Sequence, residues 1–276
     1  MSLLDEDFQA WDAYPQHRWV FNKLEVALKL GYKAGPACVP LPKTRNTLFK
    51  AIVRPIYNLY GMGISAKVKT FRPMIDNEFI INHGLIPPGH FWCEYFDGAH
   101  YSIDYKRTNQ PKGSVWAWEP FCTLVGEKEE SNLTKFTKWK SVNPPKWNLP
   151  RFICEIDNVE FLNIECIDDK IFEIHLRTGN DVLHNKPVGS EAIPIWDNEK
   201  DKIKILEDQG YTFKGNHHPE SFKYNAHGLL SELRIGYMIK LKYFTQKIVT
   251  YYYIRKKFLI NGRLIDLKHF LESSLH

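Results

Sequence analysis

The sequence predicts an α+β (mixed α/β) fold, and three observations predict it. Apolar residues at helical spacing mark residues 18–30, where Val20, Phe21, Leu24, Ala27 and Leu28 share one face. Alternation with period two marks 161–167 and 171–177 on either side of Asp168-Asp169-Lys170. Helical and strand-like segments also succeed one another too irregularly for a doubly wound parallel sheet. A chain of 276 residues, 43% hydrophobic and 14% aromatic, can bury a sizeable core as one domain or two intimate lobes.

In chain order, the opening Met1-Ser-Leu-Leu-Asp-Glu-Asp7 is acidic and has no basic start before an apolar run, so it does not read as a secretion signal. Gly31 stops the helix predicted over 18–30. Residues 51–55, Ala-Ile-Val-Arg-Pro, read as a short buried strand that runs into a glycine-containing turn, Tyr57-Asn-Leu-Tyr-Gly-Met-Gly63. Residues 91–96 and 100–105 read as two neighbouring strands reversed at Asp97-Gly98. Residues 127–150 are polar, lysine-rich and closed by Pro144, Pro145 and Pro150, and read as an excursion between core elements. A helix over 149–159 and the alternating hairpin over 161–177 follow. Residues 198–228 are loop-rich, and 229–275 predict a strand pair, 235–243 with 247–259, and a last helix.

Composition narrows the classes. The apolar stretch 237–260 is interrupted by Lys240, Lys242, Lys247, Arg255, Lys256 and Lys257, which argues against a membrane span, so the expectation is a cytoplasmic protein with no membrane partner. Cys38, Cys93, Cys122, Cys154 and Cys166 are odd in number and form no C-x-x-C pair, which points to reduced thiols. The net charge of +5 fits nucleotide phosphates about as well as a weak attraction to nucleic acid.

The hairpin carries the chemistry. With a three-residue turn at 168–170, antiparallel pairing sets Glu165 across from Glu173 and Asn163 across from His175. Leu162, Ile164 and Cys166 then share the core face with Phe172, Ile174 and Leu176, while Asn163, Glu165, Glu173, His175 and Arg177 share the other. Facing carboxylates repel unless a cation lies between them or solvent screens them. A hard divalent ion such as Mg²⁺, shared with substrate phosphates, resolves the repulsion; a solvated polar face resolves it too.

At these residues the chain resembles the ATP-grasp enzymes. Glu173-Ile-His-Leu-Arg-Thr-Gly179 is similar to their Glu-x-Asn-x-Arg-x-Gly strand end, with Glu165 in the place of the upstream acidic ligand. Residues 91–104 resemble their adenine-binding hinge, Asn22-Lys23-Leu24 their Asp-Lys helix, Gly35-Pro-Ala-Cys-Val-Pro40 their small-residue return, and Val53-Arg54-Pro55 their strand Lys-Pro. Arg54 replaces the usual Lys, His100 stands where Glu is common, and His175 stands where a metal-binding Asn is usual.

The resemblance covers roughly residues 18–180 and implies an ATP-grasp fold, two α+β lobes clasping ATP, the first over 1–96 and the second over 97–276. It implies that Lys23 and Arg54 bind phosphates, that Gly61 and Gly63 form the loop above them, and that Cys93, Glu94 and Tyr95 contact adenine through the backbone, with His100 near the ribose. Glu165, Glu173 and His175 would hold Mg²⁺, and Arg177 would meet an anionic substrate or the γ-phosphate. Lys23 also fits a solvated helix lysine, Gly61 and Gly63 a plain turn, and His100 a structural strand histidine. The segment Asn216-His217-His218-Pro219-Glu220 with His227 has no standard metal spacing and reads as a polar loop.

The implied activity is an ATP- and Mg²⁺-dependent ligase that activates a carboxylate as an acyl phosphate for attack by an amine or another nucleophile. Because the resemblance begins by about residue 18, the acceptor site is expected to use 135–146 and the segment after 180. The rivals are a small-molecule kinase, which the same nucleotide site would serve, and a nucleic-acid-binding protein. For the last, the basic aromatic residues 237–257 would stack bases, although their alternation reads more simply as strands with lysines facing solvent.

Overall fold

The computed structural model describes residues 4, 6–37, 39–42, 48–59, 63, 65–73, 85–108, 117–129, 133, 135–179, 183–184, 186–196, 199–212, 257–260 and 263–266. Its elements are helices and antiparallel sheets, a mixed α+β architecture. Among these residues no helix is long and apolar enough to cross a membrane.

The first helical segment is broken where the periodicity predicts one helix. After α1 (Asp7–Ala13) a 3₁₀ turn occupies Pro15–Phe21, and α2 (Lys23–Lys29) begins afresh. Asn22 makes the break, because its side chain accepts the Glu25 N–H at 3.1 Å as an N-cap, and a cap residue leaves helical geometry. Gly31, at φ +78°, ends α2 as expected.

The first sheet orders its strands β1-β4-β2-β3, with β1 (Ala34–Pro36), β2 (Phe49–Pro55), β3 (Lys67–Phe71) and β4 (His90–Glu94), and each neighbouring pair is antiparallel. Alternation splits its side chains between two cores. Phe49, Ala51, Val53 and Trp92 pack with Val39 and Leu41 on one face, while Phe91 and Cys93 meet Leu24 and Ala27 of α2 on the other.

The second sheet orders β10-β7-β6-β5-β8-β9: β5 (His100–Arg107), β6 (Trp118–Lys128), β7 (Phe136–Ser141), β8 (Phe161–Ile167), β9 (Lys170–His175) and β10 (Glu191–Ala192). Its core face sets Ile103, Tyr105, Leu162, Ile164, Ile174 and Leu176 against Ala10, Val20, Phe21, Ile153 and Val159.

Three expectations are corrected here. β4 and β5 do not pair with each other; Asp97-Gly98 carries the chain from one sheet to the other. Residues 127–150 are no mere excursion, since β7 within them is a full member of the second sheet. The helix over 149–159 shrinks to α3 (Arg151–Cys154), started after Pro150 and followed by Asn158 at φ +54°.

Gly98 is required at its place. Its φ is +148°, and a Cβ there would stand 2.1 Å from an Asp168 carboxylate oxygen. Asp168 lies in the β8–β9 turn, where its Oδ1 accepts the Ala99 N–H at 3.0 Å and its own N–H donates to Ala99 O at 2.8 Å.

Near the C-terminus, beyond α4 (Lys202–Asp208), the described residues include an antiparallel pair, β11 (Lys257–Ile260) with β12 (Arg263–Asp266). The intervening Asn261-Gly262 is the dipeptide that most favours a two-residue hairpin, and β12 stands where a last helix was expected. The expected strand 235–243, most of 247–259, the segment 216–220, His227 and the basic aromatic stretch up to Arg255 lie outside the described residues.

Candidate functional site

The face of the second sheet turned away from its core is ionic. It carries His100, Ser102 and Asp104 from β5, Asn163 and Glu165 from β8, and Glu173 and His175 from β9. The register is the expected one, Glu165 opposite Glu173 and Asn163 opposite His175. The turn differs, for Ile167 pairs with Lys170 across two residues and a bulge follows Glu165. The bulge moves Ile171 into the core in place of Phe172 and leaves Phe172 beside the ionic face, 5.1 Å from the His100 ring.

Basic side chains from the first half of the chain close over the two carboxylates. Lys23, the first residue of α2, puts Nζ 2.6 Å from Glu173 Oε1. Arg54 of β2 puts Nη1 3.3 Å from the same oxygen and donates through Nη2 to Phe172 O at 3.0 Å. Both bases are buried, at 7% and 5% exposure, so each needs a counter-charge in place of lost water. His100 Nε2 lies 3.2 Å from Glu165 Oε2. His175 Nε2 faces both acids, 3.7 Å from Glu165 and 3.6 Å from Glu173.

An acid from the N-terminus completes the cluster. The Asp7 carboxylate, buried at the start of α1, bonds His175 Nδ1 at 2.8 and 3.0 Å and accepts Arg177 Nε–H at 2.8 Å. Burial acts to lower the His175 imidazole, but Asp7 and then Glu165 outweigh it and raise it to about 9. Burial acts to raise the Glu165 carboxyl, and bonds from His100 and His175 instead hold it well below its usual value. Lys128 of β6 is lowered by burial against the attraction of Glu165 and Glu173, so a further base stands near the same acids.

The structure thus brings together Lys23, Arg54, His100, Glu165, Glu173 and His175. Glu165, Glu173 and His175 offer three donor atoms within 4.8 Å of one another. The two carboxylates suit a hard ion such as Mg²⁺, whereas His175 must first give up its raised proton to ligate. Arg177, expected to meet an anionic substrate, here donates its Nε–H to Asp7 and its Nη1–H to Thr178 O at 2.9 Å.

The expected backbone contacts of 93–95 are largely spent within the first sheet. Glu94 N–H donates to Lys33 O at 2.8 Å and Tyr95 N–H to Lys50 O at 3.1 Å, while Cys93 lies in a strand paired on both sides. Glu94 Oε1 accepts Lys33 N–H, and Lys50 lies over the Tyr95 ring. Gly63 sits in a turn at φ +57°, its oxygen accepting Ala66 N–H; Gly61 lies outside the described residues. Asp7 and Lys128 were not singled out by sequence. The signal for Asp7 is only an acid in an acidic opening, and for Lys128 a lysine among many.

No family model and no curated protein matches this sequence. Several solved structures do, at low similarity. Among them are a protein from Archaeoglobus fulgidus assigned to the ATP-grasp superfamily and several ligases and synthetases. They include an L-amino acid ligase from Bacillus licheniformis, at 10% identity and TM-score 0.37, over 61% of this chain and 45% of that one. The ATP-grasp ligase PsnB complexed with a minimal precursor is similar at 10% identity and TM-score 0.34, over 67% and 60%. The ADP complex of an N5-carboxyaminoimidazole ribonucleotide synthetase is similar at 10% identity and TM-score 0.43, over 86% and 79%. The chain spans 45% of the amino acid ligase and 60% of PsnB, and overlaps this distant carry no activity across.

Proposed function

We propose that this chain is an ATP-grasp ligase that clasps Mg·ATP between a first lobe, 1–96, and a second, 97–276, and activates a small carboxylic acid for attack by an amine in the cytoplasm. The observation that carries the reading is the convergence of Lys23 and Arg54, from the first lobe, on Glu173, in the ionic face of the second. Buried cations and half-buried carboxylates from separate elements have the composition of a site for a polyanion and its metal ion.

Binding is an exchange of partners. Lys23 and Arg54 leave Glu173 for phosphate oxygens, and the charge they withdraw must be replaced at Glu165 and Glu173. Mg²⁺ held by those two carboxylates would do so, neutralising the terminal phosphates as charge moves during transfer. Arg54, a permanent two-pronged donor, suits a phosphate as well as the Lys it replaces. Gly61 and Gly63 would let backbone approach the phosphates, and His175 ligates only after losing its proton. With the Glu94 and Tyr95 N–H groups committed, adenine recognition near Cys93 falls to carbonyl oxygens and to 96–99. His100, bonded to Glu165, fixes that acid rather than the ribose. Arg177 acts through Asp7.

In the chemistry the substrate carboxylate oxygen attacks the γ-phosphorus, and the bond from phosphorus to ADP breaks. The amine nitrogen then attacks the acyl carbon, a C–N bond forms, phosphate leaves and the amine proton passes to solvent. The chain contributes positioning and charge, and no protein nucleophile is used. Hydroxylamine added during turnover with a pool of carboxylic acids tests this, because it intercepts an acyl phosphate as a hydroxamate. ADP with hydroxamate is expected. AMP overturns the acyl phosphate, a hydroxylamine-resistant phosphoester makes the chain a kinase, and no thermal stabilisation by saturating Mg·ATP overturns nucleotide binding itself.

A further inference from the structure

The ionic face continues beyond the carboxylate pair. Asp104 of β5 stands opposite Cys122 of β6 on one side and Asn163 of β8 on the other, and His184 reaches it from a later segment. We propose that Asp104, Cys122 and His184 form a second metal site, for a zinc-class divalent ion, apart from the Glu165 and Glu173 pair and independent of the nucleotide reading.

The donor set comes first. One atom each of Asp104, Cys122 and His184 lie within 4.8 Å of one another. A carboxylate, a thiol and an imidazole suit a borderline-soft ion and are a poor set for Mg²⁺. With the thiol ionised, two negative ligands around a dication leave the buried complex neutral, which limits the cost of burying it.

Geometry supports the same ion. His184 Nδ1 lies 3.3 Å from Asp104 Oδ2, yet this nitrogen is buried and makes no hydrogen bond among the described residues. An ion pair between the two would aim an N–H at the oxygen. Two donors of one tetrahedral ion, with bonds of about 2.0 to 2.2 Å, stand roughly 3.4 Å apart without pointing at each other.

Asp104 is also aimed as a ligand should be. Its Oδ1 accepts Asn163 Nδ2–H at 2.9 Å and Gly179 N–H at 2.6 Å, which fixes the group and leaves Oδ2 toward His184. The His184 ring packs at 80° to Phe121, centroids 5.5 Å apart, and Phe121 in turn meets Phe161 at 5.9 Å. Phe121 is the extra residue of a bulge, since Asp104 pairs with Cys122 and Tyr105 with Pro120.

Three protein ligands leave one tetrahedral position for water or a substrate atom. His184 is 28% exposed along its side chain, giving the ion a way in. On binding, the Cys122 thiol releases its proton to water and the sulfur bonds the metal, while His184 ligates through Nδ1 with its remaining proton on Nε2.

The test uses the full chain, stripped with chelator and desalted, and Co²⁺ as the probe. One equivalent of Co²⁺ is expected to give a thiolate-to-cobalt charge-transfer band in the near ultraviolet. Stoichiometric Zn²⁺ should abolish the band and excess Mg²⁺ should leave it. Cys122→Ser should remove it and His184→Ala should weaken Co²⁺ binding by at least about tenfold, while Glu173→Gln keeps both band and affinity. Absence of a band from the wild type overturns the proposal, with no variant needed. A band that survives in Cys122→Ser, or one lost in Glu173→Gln, places the metal elsewhere and overturns it as well.

Discussion

Asp7 and His175 are 168 residues apart in sequence and hold each other at 2.8 and 3.0 Å, the buried carboxylate gripping Nδ1 so that Nε2 faces Glu165 and Glu173. The contact makes His175 a charged member of the cluster. Its raised value, about 9, sets the pH dependence. A group raised on folding stabilises fully below its unfolded value, about 6.5, and loses that contribution as pH rises through about 9. A shift of this size is worth about 3 kcal/mol. Denaturant unfolding of the wild type should therefore show stability falling between about pH 6.5 and 9. Asp7→Asn should be destabilised by about 3 kcal/mol at pH 6 and should flatten that slope. An Asp7→Asn protein with the wild-type slope removes Asp7 as the cause.

Glu173 is the shared counter-charge of two buried cations, and this reverses what its repulsion of Glu165 alone implies. From facing carboxylates in a ladder one expects that removing either charge leaves the metal-free protein no less stable. With Lys23 and Arg54 both resting on Glu173 Oε1, Glu173→Gln strands two buried cations and should cost about 3 kcal/mol in metal-free protein. It should also abolish turnover. Glu165→Gln should cost less, since its partners are imidazoles, one of which Asp7 also holds. Urea midpoints without metal rank the two variants.

The hairpin was legible because period-two alternation fixes which residues face each other, and Glu165 opposite Glu173 follows from counting. What surrounds the pair was not legible in the alternation: only the family resemblance pointed to Lys23 and Arg54, and Asp7 and Lys128 carried no signal. Lys23, Arg54, Lys128 and Asp7 reach it from four separate elements, and no local periodicity encodes contacts across such separations. The bulge that exchanges Ile171 for Phe172 was hidden for a different reason: one extra residue leaves the hydrophobic composition unchanged while shifting the faces. Asn22 was legible in principle, as a helix-capping residue inside an apolar pattern, and the pattern overrode it.

Gly98 links the two sheets, and its missing side chain should be measurable. Gly98→Ala drives a methyl toward the Asp168 carboxylate and puts a side chain at φ +148°. The expected loss is about 1 to 3 kcal/mol. Asp168→Gly in the same chain removes the collision while leaving the backbone strain. The double variant should recover part of the loss, and full additivity in thermal melts would show that strain alone is responsible.

Lys23 and Arg54 offer the sharpest separation of folding from binding, because in the ligand-free protein they share one carboxylate oxygen. Removing either leaves the other to neutralise Glu173, so Lys23→Met and Arg54→Met should each cost about 1 kcal/mol or less in stability. The double variant leaves the half-buried Glu173 with His175 and the more distant Lys128 as its remaining bases and should cost about 3 kcal/mol, more than the singles together. Mg·ATP binding should behave oppositely. There each base meets its own phosphate oxygens, so each single variant should weaken affinity by tenfold or more and the losses should add. Calorimetric titration of the four proteins, paired with their unfolding midpoints, reads both patterns from one set of samples. Affinity unchanged in both single variants would leave the two bases a structural role alone.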